Sequence, residues 1–222
     1  MEGKPTVLFD MDGTLIDSAP SILQSLQGAL ERHGLRPVVE LNRHLIGPPL
    51  SDTLRLISGS EDASLLASLA QAFKASYDSE GFKQSVVYPG VGEMLTELRR
   101  AEVRMFVVTN KRIFPTRSII NWLRWTGHFE GVYSPDAYTP PLSGKHQVLR
   151  ALLEAHQLDP RCCVYVGDRD EDCSAANAIG MDFVGVSWGY GEWGAPRDPP
   201  PIEVAVIHNP LELLKIPLLT PR

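Results

Sequence analysis

The chain has 222 residues, a formal net charge of −6 and 43% hydrophobic residues. That length suits one domain, or one domain carrying an insert, with enough apolar residues for a real core. The acidic balance argues against nucleic acid or an acidic membrane surface as a partner, and no apolar run approaches membrane-spanning length.

In chain order, Thr6 to Phe9 read as a short buried strand that runs into Asp10, Asp12 and Gly13. Two carboxylates two residues apart at the end of an apolar strand are costly to hold there without partners. A long helical section follows. Ile22, Leu23, Leu26 and Leu30 recur at helical spacing, and so do Leu65, Leu69, Phe73 and Tyr77. Shorter helical pieces are predicted near 40–46 and 51–58, and Gly47-Pro48-Pro49 interrupts the section. After Tyr88-Pro89-Gly90 the pattern changes. Strands near 104–109, 131–134, 162–167, 182–187 and 204–208 alternate with helices near 91–101, 115–125, 145–157 and 171–179. Such alternation predicts an α/β fold, a doubly wound parallel sheet with helices on both faces and ligands bound beyond the carboxyl ends of its strands.

Three further segments carry chemistry-bearing residues at predicted strand ends or helix starts. Met105-Phe-Val-Val-Thr-Asn110 is an apolar strand ending in a hydroxyl, which alone would read as a helix cap. Lys145, within Ser143-Gly-Lys-His146, opens a helical pattern and is the only lysine between Lys111 and Lys215. Cys163-Val-Tyr-Val-Gly-Asp168 is a third apolar strand ending in a carboxylate, with Asp172 four residues on and small residues, Ala175 to Gly180, behind it.

In this order and context the four segments resemble the four motifs of the haloacid dehalogenase superfamily, magnesium-dependent phosphatases whose nucleophile is an aspartate. The branch most similar is the phosphoglycolate phosphatase-like one, on Thr109-Asn110-Lys111, Ile46-Gly-Pro-Pro-Leu50 and Trp188-Gly-Tyr-Gly191. The resemblance implies a Rossmann-like catalytic core, residues 1–17 and 87–222, with an α-helical cap inserted at 18–86. It implies Asp10 as nucleophile and Asp12 as acid and then base. Thr109, Asn110 and Lys145 would grip the phosphoryl oxygens. Mg²⁺ would be held by Asp10, the Asp12 backbone carbonyl and Asp168, with Asp172 beside them. Many relatives have Lys-Pro where this chain has Lys145-His146, a departure that bears on the subfamily rather than the chemistry. Asp12 argues for phosphoryl transfer, because dehalogenases protonate no leaving alkoxide and lack it.

The expected function is hydrolysis of a small phosphorylated metabolite, with 2-phosphoglycolate the first substrate to try. A nucleotidase and a sugar phosphomutase are the alternatives within the superfamily. Outside it stand a phospho-aspartate receiver, which would have about half this length and no insert, and a non-catalytic interaction protein, which would not need every motif position filled. Three cysteines, two of them adjacent in a predicted buried strand, fit a reducing, cytoplasmic setting better than a disulfide framework. The N-terminus meets a charged strand end within ten residues, so no signal peptide is expected.

Other patterns carry less. Gly189-Tyr-Gly-Glu-Trp-Gly194 spells a dinucleotide fingerprint, but a proline-rich stretch, 195–201, follows where a helix must begin, so it reads as a flexible loop at the rim of the site. Asp168 to Asp172 starts like a calcium loop, yet Cys173 stands where glycine is needed. Trp122 and Trp125 read as core residues on a helical face. Arg169 is expected to pair with a neighbouring acid, and the tail after Lys215 to be poorly ordered.

Overall fold

The computed structural model describes residues 4–192, 205–217 and 219. The chain starts with β1 (Thr6–Phe9), turns tightly into β2 (Ile16–Asp17), and runs through α1 (Ala19–Arg32), α2 (Leu50–Ser58) and α3 (Ala63–Tyr77). It comes back through β3 (Val86–Val87). Then α4 (Val91–Arg100), β4 (Arg104–Val108), α5 (Ile113–Trp122), β5 (Gly131–Tyr133), α6 (Lys145–His156), β6 (Cys163–Gly167), α7 (Asp170–Asn177), β7 (Asp182–Val186) and β8 (Ala205–Ile207) follow.

Among the described residues, six strands form one sheet in the order β5-β4-β1-β6-β7-β8, and every pairing in it is parallel. The fold is therefore the doubly wound α/β sheet that the alternation predicts. β1 lies in the middle, with Val7 opposite Met105 on one side and Val164 on the other. The two-residue period of a strand sends alternate side chains to opposite faces. Val7, Phe9, Met105, Val107, Val164 and Val166 join Leu95, Leu98, Ile119 and Ile120 of α4 and α5 on one face. Leu8, Phe106, Val108 and Tyr165 join Val148, Leu149 and Leu152 of α6 on the other. All four residues of β1 are buried, as a central parallel strand requires.

Between β2 and β3 the helices pack around a separate buried cluster that includes Leu26, Leu30, Leu54, Ile57, Leu69, Phe73 and Tyr77. Local chemistry sets their ends. The Asp62 carboxylate accepts from the backbone N–H groups of Ser64 and Leu65 at the start of α3. Gly59, at φ +64°, ends α2 in a left-handed conformation. β2 and β3 form a two-stranded antiparallel ribbon, with Ile16 opposite Val87 and Asp17 opposite Val86. The sequence reading contains no such ribbon, because two-residue strands leave no periodic signal.

Several expectations change. The piece near 40–46 is a single 3-10 turn at Arg43–Leu45 rather than a helix. Trp125 is buried, but Trp122 is 56% exposed, because α5 ends there and turns its indole outward. Cys162 lies in a 3-10 turn before β6 and is only partly buried, and none of the three cysteines is in a disulfide among the described residues. The tail after Lys215 packs where it is described: Leu219 is buried in the core beside α4. The proline-rich stretch at 195–201 lies outside the described residues.

Gly28 sits in the middle of α1, and a methyl group there would meet open space. Gly28→Ala is expected to stabilise the protein by up to about 1 kcal/mol, since alanine loses less backbone entropy in a helix. Urea denaturation of the two proteins under matched conditions measures the change.

Candidate active site

β1, β4 and β6 are adjacent in the sheet, and the residue after each strand is chemically functional: Asp10, Thr109 and Asp168. The Asp10 N–H donates to the Val166 carbonyl at 2.9 Å, and the Thr109 N–H to the Tyr133 carbonyl at 3.1 Å. Asp10 and Thr109 therefore stay on the hydrogen-bond ladder one residue past their strands, and their side chains are aimed by the sheet. From β1 the chain passes to β4 on one side and later to β6 on the other, so the three ends flank a crossover crevice of the kind where open α/β sheets bind ligands.

Carboxylate oxygens of Asp10, Asp168 and Asp172 lie within 4.8 Å of one another, and all three side chains are buried. Lys145, the first residue of α6, places its Nζ 3.0 Å from Asp10 Oδ1 and also donates to Asp172 in a short contact. Asp172 is the third residue of α7, and its Oδ2 accepts from the Arg169 N–H at 3.0 Å. Its other oxygen takes Lys145 and the Tyr165 hydroxyl, at 3.3 Å for the latter. Asp168 Oδ2 accepts from the Tyr190 N–H at 2.7 Å.

One ammonium cannot balance three buried carboxylates. Burial pushes Asp10 up to about 7; Lys145 opposes this and the neighbouring carboxylates reinforce it. Burial, then Asp172, pushes Asp168 up to about 6. Burial works against the charge on Lys145, but Asp10 and Asp172 outweigh it and raise its pKa. Asp10 Oδ1 is buried, with the Lys145 ammonium 3.0 Å away. An all-oxygen donor set with excess negative charge fits a hard divalent cation.

Asp12 faces the same space from the turn after β1. Lys111 Nζ lies 3.0 and 3.1 Å from its two oxygens, and the Ser18 hydroxyl donates to Oδ1 at 2.5 Å. Lys111 also donates to the Tyr77 hydroxyl at 2.7 Å, from the last residue of α3. Burial works against the Lys111 charge, but Asp12 and Tyr77 outweigh it and raise its pKa. The sequence reading gives Lys111 no role. Its position two residues past Thr109 is the only local signal, and burial of the ammonium is visible only in three dimensions.

Thr109 is buried, and its hydroxyl accepts from the Lys111 N–H at 3.2 Å. The Asn110 side-chain amide donates to the Gly47 carbonyl at 3.3 Å. Asp10, Asp12, Thr109, Asn110 and Lys145 all line a cleft between the sheet and the helices of 18–86. Arg169 differs from expectation: its guanidinium reaches the Arg43 carbonyl at 3.0 Å and lies against Gly47.

The glycines after β7 have a job other than dinucleotide binding. A Cβ on Gly189 would lie 2.3 Å from Asp168 Cβ, and one on Gly191 1.9 Å from the Asp168 carbonyl oxygen. The described part of that segment, through Glu192, presses on Asp168 and fixes it, so it is no loose rim loop. The rest of the sequence fingerprint, 193–194, lies outside the described residues.

The model of the haloacid dehalogenase-like hydrolase family matches residues 7–186, and the chain belongs to that family. Tyrosine-protein kinase PtkA of Mycobacterium tuberculosis is 36% identical over 86% of this chain, which spans only 64% of that relative. A phosphoglycolate phosphatase of Xylella fastidiosa is 34% identical, over 83% of this chain and 81% of its own. A haloacid dehalogenase-like hydrolase structure from Streptococcus pneumoniae superposes with a TM-score of 0.82 at 24% identity, covering 97% of this chain and 99% of that one, and so shares the fold. Among the described residues, no helix is long and apolar enough to cross a membrane.

The raised pKa values have a consequence for stability. Unfolded aspartates titrate near ~3.9, so above roughly pH 8 both states carry the charges and the folded state bears the full burial penalty. Lowering the pH protonates Asp10 (about 7) and Asp168 (about 6) in the folded state first, which favours folding. The cation-free protein is expected to gain several degrees in Tm between about pH 8 and pH 5, and Mg²⁺ to raise Tm more at the higher pH. Thermal scans in EDTA and in Mg²⁺ measure both; a cation-free Tm that falls steadily over that range would contradict the cluster's electrostatics.

Proposed function

We propose that this protein is a Mg²⁺-dependent phosphomonoesterase acting on a small phosphate ester through an aspartyl phosphate on Asp10. The observation that carries the reading is the convergence of Asp10, Asp168, Asp172 and Lys145 on one buried point at the mouth of a cleft. Family membership and the phosphoglycolate phosphatase relatives support it. The segment 18–86 serves as the cap, and the core is 1–17 with 87–222.

In this reading an Asp10 oxygen attacks phosphorus in line with the leaving oxygen, forming an acyl phosphate and splitting one hard displacement into two easier ones. Asp12 gives a proton to the departing alcohol oxygen, then takes one from the water that hydrolyses the acyl phosphate. Lys111 and Ser18 hold the Asp12 carboxylate toward the cleft. The Thr109 hydroxyl and the Asn110 N–H bind phosphoryl oxygens, and Lys145 offsets the charge between Asp10 and phosphate. Asp10 and Asp168, with the Asp12 backbone carbonyl, would hold Mg²⁺, which would supply charge neutralisation between the Asp10 carboxylate and the phosphoryl group. Asp172, whose two oxygens already accept from protein donors, positions Lys145 and orients the start of α7.

The kinase relatives favour a second reading, in which the phosphoryl group passes to a tyrosine hydroxyl instead of to water. The two separate cleanly: the first predicts inorganic phosphate from a simple ester alone, the second predicts label transfer from ATP to a tyrosine peptide.

Asp10→Asn is expected to abolish phosphate release from p-nitrophenyl phosphate while the circular dichroism spectrum stays unchanged, and excess EDTA to abolish it in the wild type. Full activity under either condition would sink the mechanism. Asp12→Asn is expected to slow alkyl phosphates by roughly 10²–10⁴-fold and good aryl leaving groups far less. Equal losses on both, in steady-state kinetics, would assign Asp12 a structural role.

A further inference from the structure

The cleft beyond the acids has a composition that speaks to the substrate. Its walls there are Ile22 and Leu26 of α1, Ile46 and Pro48 of the segment before α2, and Phe73 and Tyr77 of α3. The rings of Phe73 and Tyr77 are stacked, with centroids 5.4 Å apart and planes 14° from parallel.

Three cationic side chains reach the described lining of this cleft, and each already has an acid. Lys145 pairs with Asp10 and Asp172. Lys111 pairs with Asp12 and donates to Tyr77. Arg112 makes a two-pronged pair with Asp78, one arm at 2.8 Å and the other shorter. A second anionic group on the substrate, such as a carboxylate or another phosphate, would enter an apolar chamber with no uncommitted cation among the described lining residues. Burying such a charge without a partner is strongly unfavourable, whereas burying a ring there is favourable.

We propose that the site selects phosphate monoesters whose alcohol portion is uncharged and aromatic. This rests on the phosphomonoesterase reading and names its substrate class. The phosphoryl group sits at Asp10, Thr109 and Lys145, and the ring enters the cleft against Ile22, Ile46 and Phe73. The chemistry balances as ordinary hydrolysis: the P–O bond to the alcohol breaks, the alcohol oxygen takes one proton, and water supplies an oxygen to the released phosphate.

The test compares three alkyl phosphates, so that leaving-group reactivity does not mask shape: benzyl phosphate, butyl phosphate and 2-phosphoglycolate, each with the Mg²⁺-loaded protein. The expected kcat/KM for benzyl phosphate exceeds that for 2-phosphoglycolate by at least about tenfold. Ile22→Arg, which places a cation on the half-buried wall, should narrow that gap. Phe73→Leu, which removes the ring and keeps an apolar side chain, should lower kcat/KM for benzyl phosphate by a larger factor than for butyl phosphate. Equal or better turnover of 2-phosphoglycolate by the wild type would overturn the aromatic assignment and leave the phosphomonoesterase reading standing. Calorimetry on Asp10→Asn reads the pocket without turnover. Tighter binding of benzylphosphonate than of phosphonoacetate supports the ligand class, even if no ester is hydrolysed and the phosphomonoesterase reading fails. The reverse order overturns the ligand class.

Discussion

The structure depends on holding three carboxylates together inside a protein. Asp10, Asp168 and Asp172 repel one another in a setting where water does not screen them, and the surroundings are arranged around that problem. α6 begins at Lys145, so its ammonium enters where the charges meet. Backbone N–H groups of Arg169 and Tyr190 fix Asp172 and Asp168 from opposite sides. Gly189 and Gly191 lack side chains where a methyl group would displace Asp168. A core built for stability alone would contain none of this. The cluster is held in place by a sheet whose central strands are buried on both faces, and that rigidity keeps mutually repelling groups from moving apart.

The second charged centre works differently. Asp12 and Lys111 are both nearly enclosed, and the pair is tied into the helical segment through Ser18 and the Tyr77 hydroxyl. Asp78, next along the chain, clamps Arg112 of the neighbouring loop. The interface between sheet and helices therefore holds a buried ion pair beside its apolar walls, and the arrangement of Asp12 and Lys111 depends on how the helices are seated.

Much of this was legible in the sequence, for a physical reason. A buried parallel strand is a short run of β-branched and apolar residues, and a functional residue directly after it stands out. That made β1, β4, β6 and the residues after them readable, and the same periodicity gave α1 and α3. Asp172 was legible only through resemblance to the family's fourth motif; that its carboxylate turns back to the Arg169 N–H at the start of α7 is seen in the structure. What stayed hidden was long-range and two-body. Lys111 resembles any lysine at a helix approach until Asp12 and Tyr77 close around it. Arg169 finds a carbonyl more than a hundred residues away instead of a neighbouring acid. Trp122 shares a helical spacing with buried residues, yet the helix ends under it. The β2–β3 ribbon is too short to have a period, and the glycines after β7 owe their identity to distant neighbours, the side chain and backbone of Asp168 and the Gly13 carbonyl.

That ribbon has an architectural consequence. The chain leaves the ribbon at Asp17 and rejoins it at Val86, and those two residues are paired across one ladder. The ends of the intervening segment are thus separated by about 5 Å, the spacing of paired strands. A segment with such neighbouring ends can change in length between them without altering the register of any parallel strand, provided Ser18 and Tyr77 stay where they hold Asp12 and Lys111.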